Sequence, residues 1–114
     1  MKLFINNLSP SITSVAFAEE SLDAGNVKNF REEIASAILS SDTLMLDMSN
    51  LNFVDSSGLG ALLSCLRSMN SKDGQLKLFA ITKPVMALFE LVRMHRLFSI
   101  YATQEEAQQD IPAP

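Results

Sequence analysis

Hydrophobic residues recur along this chain at two spacings, one typical of helices and one typical of strands. Apolar positions three and four apart, with charged residues between them, mark the helical segments. The predicted helices are Val27 to about Ser40–Ser41, Ser57 to Lys72, Pro84 to about Arg93, and a short terminal one opened by the capping box of Thr103 and Glu106. The pattern therefore predicts about four helices.

Shorter apolar runs between these helices predict about five strands. They are Lys2–Asn6, Ile12–Phe17, Thr43–Met48, Gln75–Ile81 and Ser99–Tyr101. The first two form a hairpin, and the nearly continuous run 43–48 is typical of a strand covered on both faces. Strands that alternate with helices after a hairpin predict a single α/β domain with a mixed sheet. We assign it residues 1–110, followed by a frayed tail at 111–114.

Loop residues mark where two of the helices begin and end. The segment Ser21–Asn26 is predicted as a loop, with Asp23 or Asn26 positioned to cap the first helix. Asp73 and Gly74 are predicted to stop the second helix, because a residue in left-handed conformation commonly follows a helix end.

The most informative stretch is Phe53–Gly60, in which a strand-like lead-in meets an acid, two serines and two glycines and turns into a helix. One interpretation is a helix cap, since oxygens ahead of a helix satisfy its unpaired N–H groups. Asp55 and Ser57 can share that cap. The other interpretation starts from Ser56, because a helix N-terminus also accommodates a phosphate.

Several enzymatic interpretations of this stretch fail on their own requirements. A dinucleotide fingerprint needs a third glycine where Leu63 stands, and no Gly-Lys-Ser/Thr follows to make a phosphate loop. The single histidine, His95, lies in a basic turn and G-x-S-x-G is absent, which disfavours a serine hydrolase. A receiver-type carboxylate pair is disfavoured as well. No Cys/His cluster has metal-ligand spacing. We therefore expect no enzyme activity, metal or cofactor.

Composition narrows the possible partners. The chain has 114 residues, a formal net charge of −4 and nine scattered Lys and Arg residues, which disfavours nucleic-acid binding. The lone Cys65 excludes an internal disulfide and is interpreted as a buried small hydrophobe. No signal peptide and no long apolar run is evident, so we expect a cytoplasmic protein without membrane insertion.

The predicted helix 57–72 has two contrasting faces. Five large side chains are expected to face the core: Leu59, Leu62, Leu63, Leu66 and Met69. The opposite face is nearly all small: Ser57, Gly60, Ala61, Ser64, Cys65, Ser68 and Ser71. Either a partner docks on this flat face or another element of the domain packs there. Likewise Met94, together with Met86, Leu91 and Phe98, either extends a docking surface or is surplus core.

The segment Phe53–Gly60 resembles the corresponding motif of the STAS domain, specifically of bacterial anti-sigma factor antagonists. The resemblance covers nearly the whole chain, including the loop of Leu22 and Asp23 and the helix around Val85. One departure is Glu20-Ser21, where the family commonly has a glycine.

The resemblance implies partner switching. Such proteins bind an anti-sigma factor that is also a serine kinase, and phosphorylation of the hydroxyl after the motif aspartate releases it; a PP2C-type phosphatase restores binding. That hydroxyl is Ser56 here, with Asp23, Asp55 and Ser57 near it. Candidate partner contacts are Gly58, Gly60, Ala61, Ser64, Ser68 and Met94. The alternative is a STAS subunit of a lipid-transport or ABC-transport assembly that binds its partner constitutively.

Overall fold

A five-stranded mixed sheet forms the centre of the molecule, for which a computed structural model describes residues 2–110. In chain order the strands are β1 (Leu3–Asn7), β2 (Ile12–Phe17), β3 (Ser21–Leu22), β4 (Thr43–Asp47), β5 (Phe53–Val54), β6 (Gln75–Phe79) and β7 (Ser99–Tyr101). Strands β3 and β5 lie outside the main sheet and form a separate two-stranded sheet. The helices are α1 (Val27–Ser40), α2 (Ser56–Ser71), α3 (Lys83–Leu91) and α4 (Gln104–Gln109), with a 3₁₀ turn at Met94–Arg96. The tail predicted at 111–114 lies outside the described residues.

The strand order of the main sheet is β1-β2-β4-β6-β7, with only the β1–β2 pair antiparallel. The mixed α/β architecture predicted from the sequence is confirmed. As expected from its apolar run, β4 is central, and its first four residues are buried.

The core is divided between the two faces of the sheet because successive strand residues point to opposite sides. On one side, α1, α2 and α3 bury a large cluster that includes Phe30, Leu62 and Phe89. On the other side, a smaller cluster of Met45, Phe79 and Ala107 lies beneath α4. The larger cluster holds α2 against the sheet and so fixes the position of its N-terminus.

The sequence indicates a strand-like lead-in at β5 but does not predict that it pairs with a second short strand, β3, ahead of α2. Within the segment interpreted as a loop, β3 pairs in parallel with β5, placing Leu22 beside Val54. Both side chains are almost completely buried. Because two residues are too few to show an alternating pattern, sequence periodicity does not reveal this strand pairing.

The predicted cap of α1 is wrong. Asn26 precedes the helix, but its side chain makes no cap hydrogen bond and instead donates to the carbonyl of Ser21 at 2.8 Å. The N–H of Val27 is satisfied by the backbone carbonyl of Asp23 at 2.9 Å. A backbone acceptor therefore does the work assigned to a side chain.

Helix α2 ends within one residue of the predicted position, but Asp73 and Gly74 have different roles at this end. Asp73, not Gly74, adopts the left-handed conformation, with φ of 60°. The N–H of Gly74 donates to the carbonyl of Met69 at 2.8 Å, as in a Schellman motif. A Cβ on Gly74 would lie 2.9 Å from the carbonyl oxygen of Asp42. The glycine is therefore required by close packing.

Candidate functional site

Ser56 is the first residue of α2 and lies at the surface. Within residues 2–110 its hydroxyl makes no hydrogen bond, and the backbone N–H groups of a first helical turn have no intrahelical acceptors. The side chain is therefore presented to solvent beside a group of partly unpaired donors.

Asp55 caps α2 and also holds a neighbouring loop. One carboxylate oxygen, Oδ1, accepts from the N–H of Gly58 at 2.9 Å, and Oδ2 accepts from the N–H of Ala24 at 3.0 Å. The Gly58 hydrogen bond is the main cause that lowers the pKa of the Asp55 carboxyl below its ordinary value of 3.8, and the Ala24 hydrogen bond adds to it. The charged form of Asp55 is thus favoured in the folded protein.

Ser57 does not share the cap, contrary to expectation. It is the second residue of α2 and is half-buried, and its hydroxyl makes no hydrogen bond within the described chain. The side-chain cap of α2 is the Asp55 carboxylate, which accepts from the N–H of Gly58.

The loop that carries Asp23 is built from its own polar groups. Asp23 accepts from the N–H of Gly25 and from the hydroxyl of Ser21, both at 2.8 Å, and its own N–H donates to Asn26 Oδ1 at 2.9 Å. Because the N–H of Ala24 donates to Asp55, this loop lies against the start of α2. The structure thus brings the Asp23 loop to the residue that precedes Ser56.

The two glycines of the motif have different surroundings. Gly58 is buried, and a Cβ there would lie 2.3 Å from the carbonyl oxygen of Leu22 and 2.8 Å from Cγ1 of Val54. Gly58 is therefore required by packing, and its assignment as a partner contact is corrected. A Cβ on Gly60 would meet nothing within 4 Å. The fold itself gives no reason for glycine at position 60.

Two residues of the small face of α2 are buried in the domain's own core. Ala61 is completely buried and Cys65 is 3% exposed, so Ala61 offers no surface to a partner and that expectation is corrected. Burial raises the pKa of the Cys65 thiol to about 11, which makes it unreactive. Ser64 and Ser68 line an open groove of about 510 Å³ between α1 and α2. For these two serines a partner contact stays a prediction.

The large face of α2 and the residues after α3 also depart in part from expectation. Leu59, Leu62 and Met69 are buried as predicted, whereas Leu63 and Leu66 are only half-buried. Met94 is partly buried and packs against the main core cluster, which favours the surplus-core interpretation.

An apolar groove that the sequence did not predict lies beside Ser56. It has a volume of about 500 Å³ and lies between the start of α2 and helix α3. Its lining includes Phe53, which is 56% exposed, and Val92, which is 46% exposed. Phe53 precedes the buried Val54 in the β5 alternation and so points outward, a signal that was available in the motif.

Within residues 2–110, no three His, Cys, Asp or Glu side chains are grouped so that they could hold a metal ion. No helix in that part of the chain is long and apolar enough to span a membrane. The site therefore consists of an exposed hydroxyl, a capping carboxylate whose oxygens are both engaged, and an apolar groove.

Comparison with known proteins assigns this arrangement to a family. The family model of the STAS domain matches residues 7–107. The chain belongs to the STAS domain family. An anti-sigma F factor antagonist of Paenibacillus polymyxa is 29% identical to this STAS domain over 68 residues, which are 60% of the chain and 58% of that relative.

Three solved structures, of two proteins, share the STAS fold. An anti-sigma factor antagonist of Thermotoga maritima, described as putative, has a TM-score of 0.83 at 20% identity and covers 96% of this chain and 93% of its own. The unphosphorylated form of the anti-sigma factor antagonist SpoIIAA has a TM-score of 0.79 at 23% identity, and the match covers 98% of this chain and 100% of that structure's chain. The phosphorylated form of SpoIIAA from Bacillus has a TM-score of 0.74 at 22% identity, and the match covers 97% of this chain and 100% of that structure's chain. The predicted resemblance to STAS antagonists is thereby confirmed.

A matched pair of glycine substitutions tests the packing of α2. Gly58→Ala should destabilise the STAS domain by about 1–3 kcal/mol, because the new methyl group overlaps the Leu22 carbonyl. Gly60→Ala should stabilise it by about 0.5–1 kcal/mol, because alanine is the better helix former and meets open space. Urea unfolding of both variants measures the two effects, and equal effects at the two positions would contradict the packing described.

The charge of Asp55 predicts a specific pH dependence. Because the folded-state pKa lies below the ordinary 3.8, the Asp55 carboxylate contributes stability above about that pH, and this contribution is lost as the pH falls through the folded-state pKa. Asp55→Asn should lower the melting temperature at pH 7. The difference in melting temperature between this variant and the unmodified protein should narrow below pH 4.

The matched control is Asp42→Asn, at an exposed aspartate whose carboxylate accepts no hydrogen bond within the described chain. Circular dichroism melts of all three proteins from pH 7 to pH 3 provide the measurement. If the difference in melting temperature between Asp55→Asn and the unmodified protein stays constant down to pH 3, the role given to Asp55 is refuted.

Proposed function

We propose that this STAS domain is a phosphorylation-controlled partner-switching regulator, an antagonist of an anti-sigma factor or of a similar switch kinase. It binds a serine-kinase partner while Ser56 is unphosphorylated and releases that partner once the kinase has phosphorylated Ser56. A PP2C-type phosphatase restores the binding form. The observation that carries the proposal is the exposed, unbonded hydroxyl of Ser56 at the first position of α2.

The relatives support the partner class. The Paenibacillus polymyxa relative is an anti-sigma F factor antagonist, and SpoIIAA is an anti-sigma factor antagonist with structures in unphosphorylated and phosphorylated forms. The lone buried thiol of Cys65 agrees with a reducing cytoplasm, where ATP is available to such a kinase.

The fold should tolerate a phosphate on Ser56. A phosphate adds about −1.5 to −2 charges, and the helix N-terminus with its unpaired N–H groups favours negative charge. The negative charge of the neighbouring Asp55 carboxylate, which accepts hydrogen bonds from the N–H groups of Gly58 and Ala24, repels the phosphate. The two effects act in opposite directions, so we expect little net change in stability.

The interface should not tolerate the phosphate. Phe53 and Val92 give the groove beside Ser56 an apolar surface that a partner can cover. Burying a doubly charged group at the edge of an apolar contact costs several kcal/mol unless the partner supplies matching donors. Since about 1.4 kcal/mol corresponds to a tenfold change, partner affinity should fall about 10²-fold or more.

Phosphate transfer tests the acceptor directly. The purified protein, Ser56→Ala and Ser57→Ala are each incubated with ATP and with candidate kinases from the same genome. Phosphate should be incorporated into the unmodified protein and Ser57→Ala, at Ser56 by mass spectrometry, and not into Ser56→Ala. A PP2C-type phosphatase should then remove it. Incorporation at Ser57 alone, or none with any candidate, would count against the proposal and favour constitutive binding.

A further inference from the structure

The first strand of the main sheet has an open edge. Strand β1 pairs with β2 on one side, and within residues 2–110 no strand pairs with its other side. Its five residues, LFINN, include no charged residue and no proline. Natural edge strands commonly carry such residues because an unpaired row of backbone groups can template association with another chain.

The hydrogen-bond register shows which backbone groups face this open edge. At one end of the hairpin, the N–H of Ala18 donates to the carbonyl of Lys2 at 3.1 Å; at the other, the N–H of Leu8 donates to the carbonyl of Ile12 at 2.9 Å. Bonded and non-bonded pairs alternate in an antiparallel ladder, so the even-numbered residues of β1 bond to β2. The N–H and C=O groups of Leu3, Ile5 and Asn7 therefore point outward.

Apolar side chains flank these outward groups on both faces. Phe4 is 54% exposed and Ile5 is 45% exposed, and as consecutive strand residues they lie on opposite faces of the sheet. The other edge strand of the sheet, β7, has only three residues, and so short an edge offers little backbone to another chain.

We propose that β1 pairs antiparallel with β1 of a second copy of this chain, across a two-fold axis at Ile5. The three outward residues are symmetric about Ile5, so Leu3 of one copy lies opposite Asn7 of the other and Ile5 lies opposite itself. All six outward N–H and C=O groups on each copy then lie within the paired segment. No charged residue within Leu3–Asn7 opposes the pairing.

This inference goes beyond the proposed function and does not depend on it. The pairing uses no residue of the groove beside Ser56, so each copy would keep its acceptor serine accessible. A five-residue edge buries less than the roughly 1,200 Å² typical of stable complexes, so we expect weak self-association that increases with protein concentration.

Directed disulfide formation tests the register. In the proposed pairing, Phe4 of one copy lies opposite Asn6 of the other as a non-hydrogen-bonded pair, with Cα atoms about 4.5 Å apart, which is the closer of the two kinds of antiparallel pair and suits a disulfide. Two Phe4 residues would be diagonal neighbours about 7–8 Å apart. Under mild oxidation, an equimolar mixture of Phe4→Cys and Asn6→Cys should therefore form the mixed covalent dimer about tenfold faster than either variant alone forms its own dimer. Cys65 is buried and should not compete.

Sedimentation equilibrium of the unmodified protein provides a second measurement. Its weight-average mass should increase from 12.5 kDa towards twice that value with concentration. Ile5→Lys should abolish the increase, whereas Leu39→Lys, which makes the same change at an 80% exposed leucine on α1, should not. A constant monomer mass up to millimolar protein, equal crosslinking rates for the mixed and the unmixed cysteine variants, or a mass increase that persists in Ile5→Lys would overturn the proposal.

Discussion

The carboxylate of Asp55 connects the two elements that form the site, the start of α2 and the loop of Asp23. Through Gly58 it fixes the first turn of α2, and through Ala24 it holds the loop that precedes α1. The same junction is packed so closely that position 58 has no room for a Cβ beside the Leu22 carbonyl. Ser56 therefore extends from a rigid junction, which gives its hydroxyl a defined position.

This arrangement separates structural residues from residues available to a partner. Asp55 and Gly58 maintain the junction, whereas Ser56 and the exposed ring of Phe53 are not needed by it. A charge added at Ser56 should thus act on a partner's surface and not on the domain's own core. The proposed partner switching requires such a division, because the domain must stay folded through each cycle of phosphorylation and dephosphorylation.

Sequence patterns predicted most of the architecture and part of the site. Amphipathic spacing placed α1 and α2 within a residue of their positions, because burial of one helix face dominates their sequence. The β3–β5 pair was missed because two residues carry no periodicity, and Ala61 was misassigned because a small-residue face looks the same whether a partner or the domain's own core covers it. The role of Gly58 depends on a carbonyl 36 positions earlier in the chain, at Leu22, which no local pattern reveals.

The central claim is that modification of Ser56 changes a surface and leaves the fold intact. Amide NMR spectra of the same protein before and after stoichiometric phosphorylation test this claim most directly. We predict shift changes confined to the start of α2, the loop around Asp23 and the groove lined by Phe53, with the core signals of β4 unchanged. Loss of dispersed signals, or shifts spread through β4, would contradict the account.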